Sequence, residues 1–131
     1  MAYSLGQFKE VLDGLGFHLG PDGLNGNNGN ILDVYTQSAI REFQYQYQLP
    51  LTGRLDPATN DKAEKIMRNL QYSLNLTVEA QLPINEFYGP RTLQAVKAFQ
   101  RSYGLPITGI ATLTVRQRVE QEARKQLSAS A

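Results

Sequence analysis

The chain contains 131 residues, of which 41% are hydrophobic and 19% are charged, and its formal net charge at pH 7 is +1. This length fits one domain or two very small ones, and the composition is that of an ordinary globular protein. The near-zero net charge indicates no nucleic-acid partner, and the absence of cysteine excludes disulfides, thiolate zinc ligands and cysteine nucleophiles.

The first predicted element is a short N-terminal helix. Ser4 and Gln7 have the spacing of a capping box, which opens a helix. The apolar residues that follow step by three or four, so they share one helical face. They are Leu5, Phe8, Leu12 and Leu15.

The segment GLNGNNGN, residues 23–30, comes next. Glycine and asparagine dominate turns, so we predict a flexible loop or hairpin here, with little stake in the core. The segment lacks the alternating ligands and distal glutamate of an EF-hand loop, so no calcium site is predicted.

The second predicted helix begins near Thr36, which we interpret as its N-cap. Asp56 and Pro57 then signal the start of a third helix. Neither glycine nor proline interrupts residues 58–76. A last helix of one unit is therefore predicted to run directly into the first helix of another.

A duplication explains the second half of the chain. Residues 36–53, TQSAIREFQYQYQLPLTG, align without a gap with residues 92–109, TLQAVKAFQRSYGLPITG. Both copies end in Leu-Pro-x-Thr-Gly, a form that resembles a sortase signal. A cleavage signal has no reason to recur, and neither copy precedes an apolar span of the roughly 20 residues that cross a membrane. The form is therefore interpreted as the same turn in two copies.

The second copy has its own helix signals. Pro90 is favoured in a first helical turn, and Gly104 suits a left-handed helix end where the first copy has Gln48. Thr112 opens a last helix, over roughly residues 113–127. We predict an all-α fold of two tandem three-helix units joined by a continuous or nearly continuous central helix. Unit one spans residues 1–57 and includes the Gly/Asn loop, and unit two spans residues 58–131.

These motifs resemble the peptidoglycan-binding domain of the small three-helix type, a bacterial family often appended to cell-wall hydrolases. The matches in unit two are Leu70-Gln71, Leu74, INEFYGPRT at residues 84–92 (with Asn85-Glu86 where Asp-Gly is usual), Ala95-Val96, Phe99-Gln100, Gly104-Leu105 and Gly109. The matches in unit one are Phe8 (at the position of Leu70 in unit two), Leu12, Leu15-Gly16-Phe17, Ala39-Ile40, Phe43-Gln44 and Gly53. Unit one departs from the pattern at Leu32-Asp33 and carries about six extra residues in its loop. The resemblance covers nearly the whole chain and implies a non-catalytic module that binds peptidoglycan or its peptide stem.

The sequence offers little material for catalysis. His18 is the only histidine, whereas a catalytic zinc site usually needs several histidines or a histidine with carboxylates. No G-x-S-x-G motif is present, and no spacing pairs the acidic residues for glycoside hydrolysis. We therefore predict no enzyme activity, no metal and no cofactor.

The start of the second helix in each unit is the predicted ligand site. Free backbone N–H groups and the helix dipole attract anions there, and peptidoglycan stems carry carboxylates. The predicted ligand-binding residues of unit two are Tyr88, Arg91 and Thr92, and those of unit one are Tyr35 and Thr36. Unit one offers no cation, so unit two is the better candidate. The alternative is that Tyr88 packs against a helix and Arg91 is solvated. Gln44 and Gln100 are predicted to brace loop backbone.

A second function stays open beside cell-wall binding, namely an intracellular module that reuses the fold to bind a protein partner. The N-terminus lacks the layout of a signal peptide. The protein therefore stays in the cytoplasm, or it leaves by another route or has lost a leader. In either of the last two cases the cell wall or periplasm is expected. No membrane span is predicted.

Overall fold

The computed structural model describes residues 2–130, and Met1 and Ala131, the outer limits of the two predicted units, lie outside them. Across that range the chain forms five α-helices and one short 3₁₀ helix, and no strand. The helices are α1 (Leu5–Gly14), α2 (Val34–Gln46), α3 (Pro57–Val78), α4 (Pro90–Ser102) and α5 (Leu113–Ser130), and the 3₁₀ helix is Gly23–Gly26.

The central helix confirms the predicted architecture. α3 is 22 residues long without a break, which corresponds to about 33 Å. Its first part closes unit one after α1 and α2, and the rest opens unit two before α4 and α5. The division at residues 57 and 58 falls in the first turn of this shared helix, and it stays a prediction.

Local capping explains most helix starts. Ser4 and Gln7 form the predicted capping box of α1, and Asp56 caps α3 with Pro57 in the first turn. The prediction that Thr36 caps α2 is wrong, because Asp33 is the N-cap and accepts a hydrogen bond from the Thr36 N–H at 2.8 Å. The carboxylate of Asp33, three residues before Thr36, accepts from the free N–H at the start of α2. The helix therefore begins before Thr36, which lies in its first turn.

The two units share one hydrophobic core. Buried side chains of α1, α2, α3 and α4 belong to a single cluster. The backbone N–H of Ala111 donates to the carbonyl of Gly14 at 2.7 Å, and the Tyr3 hydroxyl donates to the carbonyl of Glu86. Both bonds join unit one to unit two. These contacts are those expected if the two units unfold together as one cooperative body.

The Gly/Asn loop has a larger structural role than predicted. The Asn27 side chain accepts a hydrogen bond from the Lys9 ammonium at 2.7 Å and donates to the Leu19 carbonyl at 3.0 Å. Its amide nitrogen also lies 3.0 Å from the Thr36 hydroxyl. Lys9 is fully buried, and its second acceptor is the Ile31 carbonyl at 2.7 Å. The prediction that the loop has little stake in the core is wrong, because a buried ammonium needs polar partners and the loop supplies them.

The repeated Leu-Pro-x-Thr-Gly turn is held from inside by glutamine, as predicted. Gln44 accepts from the Gly53 N–H at 3.0 Å and donates to the Thr52 hydroxyl at 2.9 Å. Gln100 makes the corresponding bonds to Gly109 and Thr108. Both glutamines are buried, so they satisfy turn backbone that water cannot reach.

Candidate functional site

The start of α4 lacks the side-chain cap that α2 has. Its N-cap is Gly89, which makes no side-chain hydrogen bond, and Pro90 occupies the first turn. The N–H of Leu93 is bonded to the Gly89 carbonyl, which leaves the N–H groups of Arg91 and Thr92 as the unpaired donors of a helix start. The positive end of the α4 dipole is therefore not neutralised by a side chain of its own N-cap.

The loop before α4 is held by Gln71 of α3. The Gln71 side chain accepts from the Asn85 N–H at 2.7 Å and donates to the Phe87 carbonyl at 2.9 Å. Its amide nitrogen also lies 3.4 Å from the Thr92 hydroxyl. Gln71 and Thr92 are both buried. Thr92 therefore contributes to the position of the loop, and the ligand contact predicted for its side chain stays a prediction that this burial does not support.

Tyr88 lies in the interface between the units. Its exposed fraction is only 8%, and its hydroxyl donates to the Gly109 carbonyl at 2.6 Å. The ring lies so close to Gly14 of α1 that a Cβ atom there would fall 2.4 Å from it. Burial raises the pKa of the Tyr88 phenol well above its ordinary range, so the hydroxyl stays a donor. These contacts match the alternative of a packed ring, and the ligand contact predicted for Tyr88 stays a prediction without their support.

Arg91 is the accessible residue of the predicted set in unit two. It is exposed, and its guanidinium donates to the Gln81 carbonyl at 3.1 Å. That acceptor is neutral, so the bond orients the side chain without cancelling its charge. The structure thus places one positive charge beside an uncapped helix start.

The corresponding start in unit one is occupied by the chain itself. Asp33 accepts from the Thr36 N–H, and its carboxylate lies 3.2 Å from the Asn27 amide. Partial burial raises the pKa of Asp33, but the hydrogen bonds from Thr36 and Asn27 and the charge of Lys9 outweigh it, so the pKa lies below the ordinary 3.8. An external carboxylate would meet a like charge here.

The predicted residues of unit one differ in accessibility. Tyr35 is 48% exposed and its ring lies against Gly20, whereas Thr36 is buried. Their ligand roles stay predictions, and Thr36 has the burial that argues against contact.

The sequence did not predict that Lys9 and Gln71 hold the loops before the second helices. Lys9 and Gln71 follow Phe8 and Leu70, which match the same position of the repeat. Each reaches from the first helix of its unit to the loop before the second helix. The repeat alignment was the available signal, because a polar residue beside a buried one at the same place in both copies indicates a shared role.

The geometry defines a tandem helical module whose buried polar groups hold its loops. A family model described as a putative peptidoglycan binding domain matches the chain twice, at residues 4–63 and 61–119. The chain therefore belongs to the peptidoglycan-binding domain family, in two tandem copies. The comparison with curated proteins and with solved structures gives no significant match. Within residues 2–130, none of the helices is long and apolar enough to cross a membrane.

Proposed function

We propose that this protein is a non-catalytic peptidoglycan-binding protein and that unit two makes an anion contact at the start of α4. The observation that carries the proposal is the double match to a peptidoglycan-binding family, which accounts for residues 4–119. A peptide stem presents carboxylates, and the α4 start combines a free helix end with the Arg91 cation.

The non-catalytic part of the proposal is supported by what the buried polar side chains do. Gln44 and Gln100 hold the repeated turns, and Lys9 and Gln71 hold the loops before the second helices. Each is engaged in bonds that stabilise the backbone. The hydrogen bonds of these four side chains therefore account for their burial without a catalytic role.

A second candidate, an intracellular module that binds a protein partner, is favoured by one feature. Asp33 occupies the helix start of unit one, so that unit has departed from the arrangement proposed for anion binding. A module that kept both units for a cell-wall ligand would have less reason for this divergence.

Co-sedimentation with purified insoluble sacculi tests the first proposal. We expect the protein to sediment with sacculi and Arg91→Ala to bind up to about fivefold more weakly, as for one exposed charge contact. The loss should shrink at high salt, because salt screens the wild-type contact. The matched control is Arg101→Ala, which removes an exposed arginine from the other end of α4.

Failure of the wild-type protein to sediment with every sacculus type tested would reject cell-wall binding and favour the protein-interaction module. Equal losses from Arg91→Ala and Arg101→Ala would keep the function and reject the α4 start as its site. Attraction of the anionic sacculi to any exposed cation of the protein would then explain both losses.

A further inference from the structure

A groove runs between α3 and α5, away from the residues proposed above. Its volume is about 490 Å³, within the range of about 300–1,000 Å³ typical of ligand sites. Of its lining residues, Tyr47 at the end of α2 belongs to unit one, and the others come from α3, which joins the two units, and from α5.

Two cations meet at one end of this groove, around the Tyr47 side chain. The Lys62 ammonium lies over the Tyr47 ring, 5.2 Å from its centroid, and the Arg116 guanidinium donates to the Tyr47 hydroxyl at 2.6 Å. The other acceptors of Arg116 are the carbonyls of Leu15 and Ala111. All three acceptors are neutral oxygens, so Arg116 is fixed in place while its charge is kept.

The rest of the groove is amphipathic. Leu70 and Val119 are buried in its floor, Asn69 and Gln117 line it with amides, and the half-exposed ring of Tyr72 lies at its side. One acidic side chain, Glu120, also lines the groove, but Arg124 pairs with it at 2.6 Å. The lining thus keeps an excess of positive charge, contributed by Lys62 and Arg116.

The dimensions fit a short extended peptide. Residues 62–76 of α3 span about 21 Å at 1.5 Å per residue. An extended chain covers that distance with about six residues at 3.3–3.6 Å each. Amides along the walls can pair with peptide groups, and the apolar floor can receive small side chains.

We propose that the α3–α5 groove binds the stem peptide of peptidoglycan, with a stem carboxylate held by Lys62 and Arg116. This inference rests on the proposed function and adds a second contact to the one at α4. Charge complementarity favours the peptide as the ligand, because its free carboxylates can pair with the two cations at the end of the apolar, amide-lined groove. An uncharged glycan strand would leave both cations without an anionic partner. Two weak contacts on one polymer reinforce each other, since the second binding event is intramolecular.

Sedimentation with two forms of the same sacculi tests the inference. Intact sacculi are compared with glycan strands from which an amidase has removed the stems. These strands lose their cross-links with the stems and become soluble, so they are coupled to beads before sedimentation. We expect strong sedimentation with intact sacculi and little with stripped glycan. Lys62→Glu should weaken binding to intact sacculi about tenfold, as for the loss of one charge-assisted hydrogen bond. Tyr72→Ala should also weaken it, and this exposed side chain can be removed with little risk to folding.

Matched controls come from exposed positions of α3 and α2. Lys65→Glu makes the same charge change at an exposed position of α3 that does not line the groove, and Tyr45→Ala removes a tyrosine of α2 that is 77% exposed. Both should bind like the wild type. Circular dichroism melting of each variant checks that the fold is retained.

The outcomes separate the inference from the function on which it rests. Absence of wild-type binding to intact sacculi rejects both. Wild-type binding that Lys62→Glu and Tyr72→Ala leave unchanged rejects the groove alone, as does equal binding to stripped glycan. Loss of binding in the groove variants with retained binding in Lys65→Glu and Tyr45→Ala confirms the inference.

Discussion

Units one and two solve the same structural problem with different side chains. In unit two, Gln71 reaches from the first helix to the loop before α4, where it both accepts from and donates to the loop backbone. At the corresponding position unit one has Lys9, which is a donor only and has lost the carbonyl oxygen of a glutamine. Asn27, from the inserted loop, supplies an amide that accepts from Lys9 and also approaches the Thr36 hydroxyl.

The comparison gives the Gly/Asn insertion a physical reason. A buried lysine cannot accept hydrogen bonds from a loop, so a second polar group must complete the arrangement. The difference extends to the helix starts, since unit one has its own carboxylate at Asp33 and unit two has Gly89 with no side-chain cap. The turn-bracing glutamines, by contrast, are unchanged in both copies. Duplication has therefore kept the turns and let the helix starts diverge.

The largest expected effect tests whether Asn27 is the partner of Lys9. We expect Asn27→Ala to lower the free energy of unfolding by about 2–4 kcal/mol, because it removes a partner of a buried charge and leaves the Thr36 hydroxyl less satisfied. Urea denaturation followed by circular dichroism measures the change. Asn28→Ala, at an exposed neighbouring position, is the control and should change stability by less than about 0.5 kcal/mol. Equal, small effects would show that unit one does not depend on its loop.

The next prediction tests how tightly the two units are joined. Gly14→Ala should lower stability by about 1–3 kcal/mol, because the added methyl group overlaps the Tyr88 ring from unit two. Thermal unfolding should still occur in one transition, at a lower temperature. Gly29→Ala adds the same methyl group where no atom lies within 4 Å and serves as the control. Two separate transitions, with only one shifted, would show that the units fold independently.

The smallest effect exchanges one residue between the copies. Gln48 has a φ of 57° and Gly104 a φ of 71°, so both lie in the left-handed region after their helices. A side chain costs about 1–2 kcal/mol in that conformation, partly offset because glycine is more flexible when unfolded. Gln48→Gly should therefore stabilise the protein by up to about 1 kcal/mol, and Gly104→Gln should destabilise it by a similar amount. Shifts of the same sign in both variants, measured by urea denaturation, would contradict this account.

Much of the fold follows from local sequence patterns. The capping box at Ser4, the Asp56-Pro57 start and the uninterrupted run of α3 depend on residues within a few positions of one another. The repeat alignment also predicted that Gln44 and Gln100 brace the turns, and their hydrogen bonds span only eight to fifteen positions. Interactions of such short range can be anticipated, because the helical period and the hydrogen-bonding capacity of each side chain are known beforehand.

The rest depended on which elements meet in space. The sequence left both ligand contact and packing against a helix open for Tyr88, and the packing of the units places its ring on Gly14, distant in sequence. The Gly/Asn loop was predicted to contribute little to the core, yet the fold brings Asn27 to the buried Lys9. The α3–α5 groove has no counterpart in any local pattern, because its cationic end forms only when Tyr47 and Lys62 meet Arg116, which is 69 positions from Tyr47. Helical periodicity identifies a buried face, but the partner that covers it is decided by the packing of the whole chain.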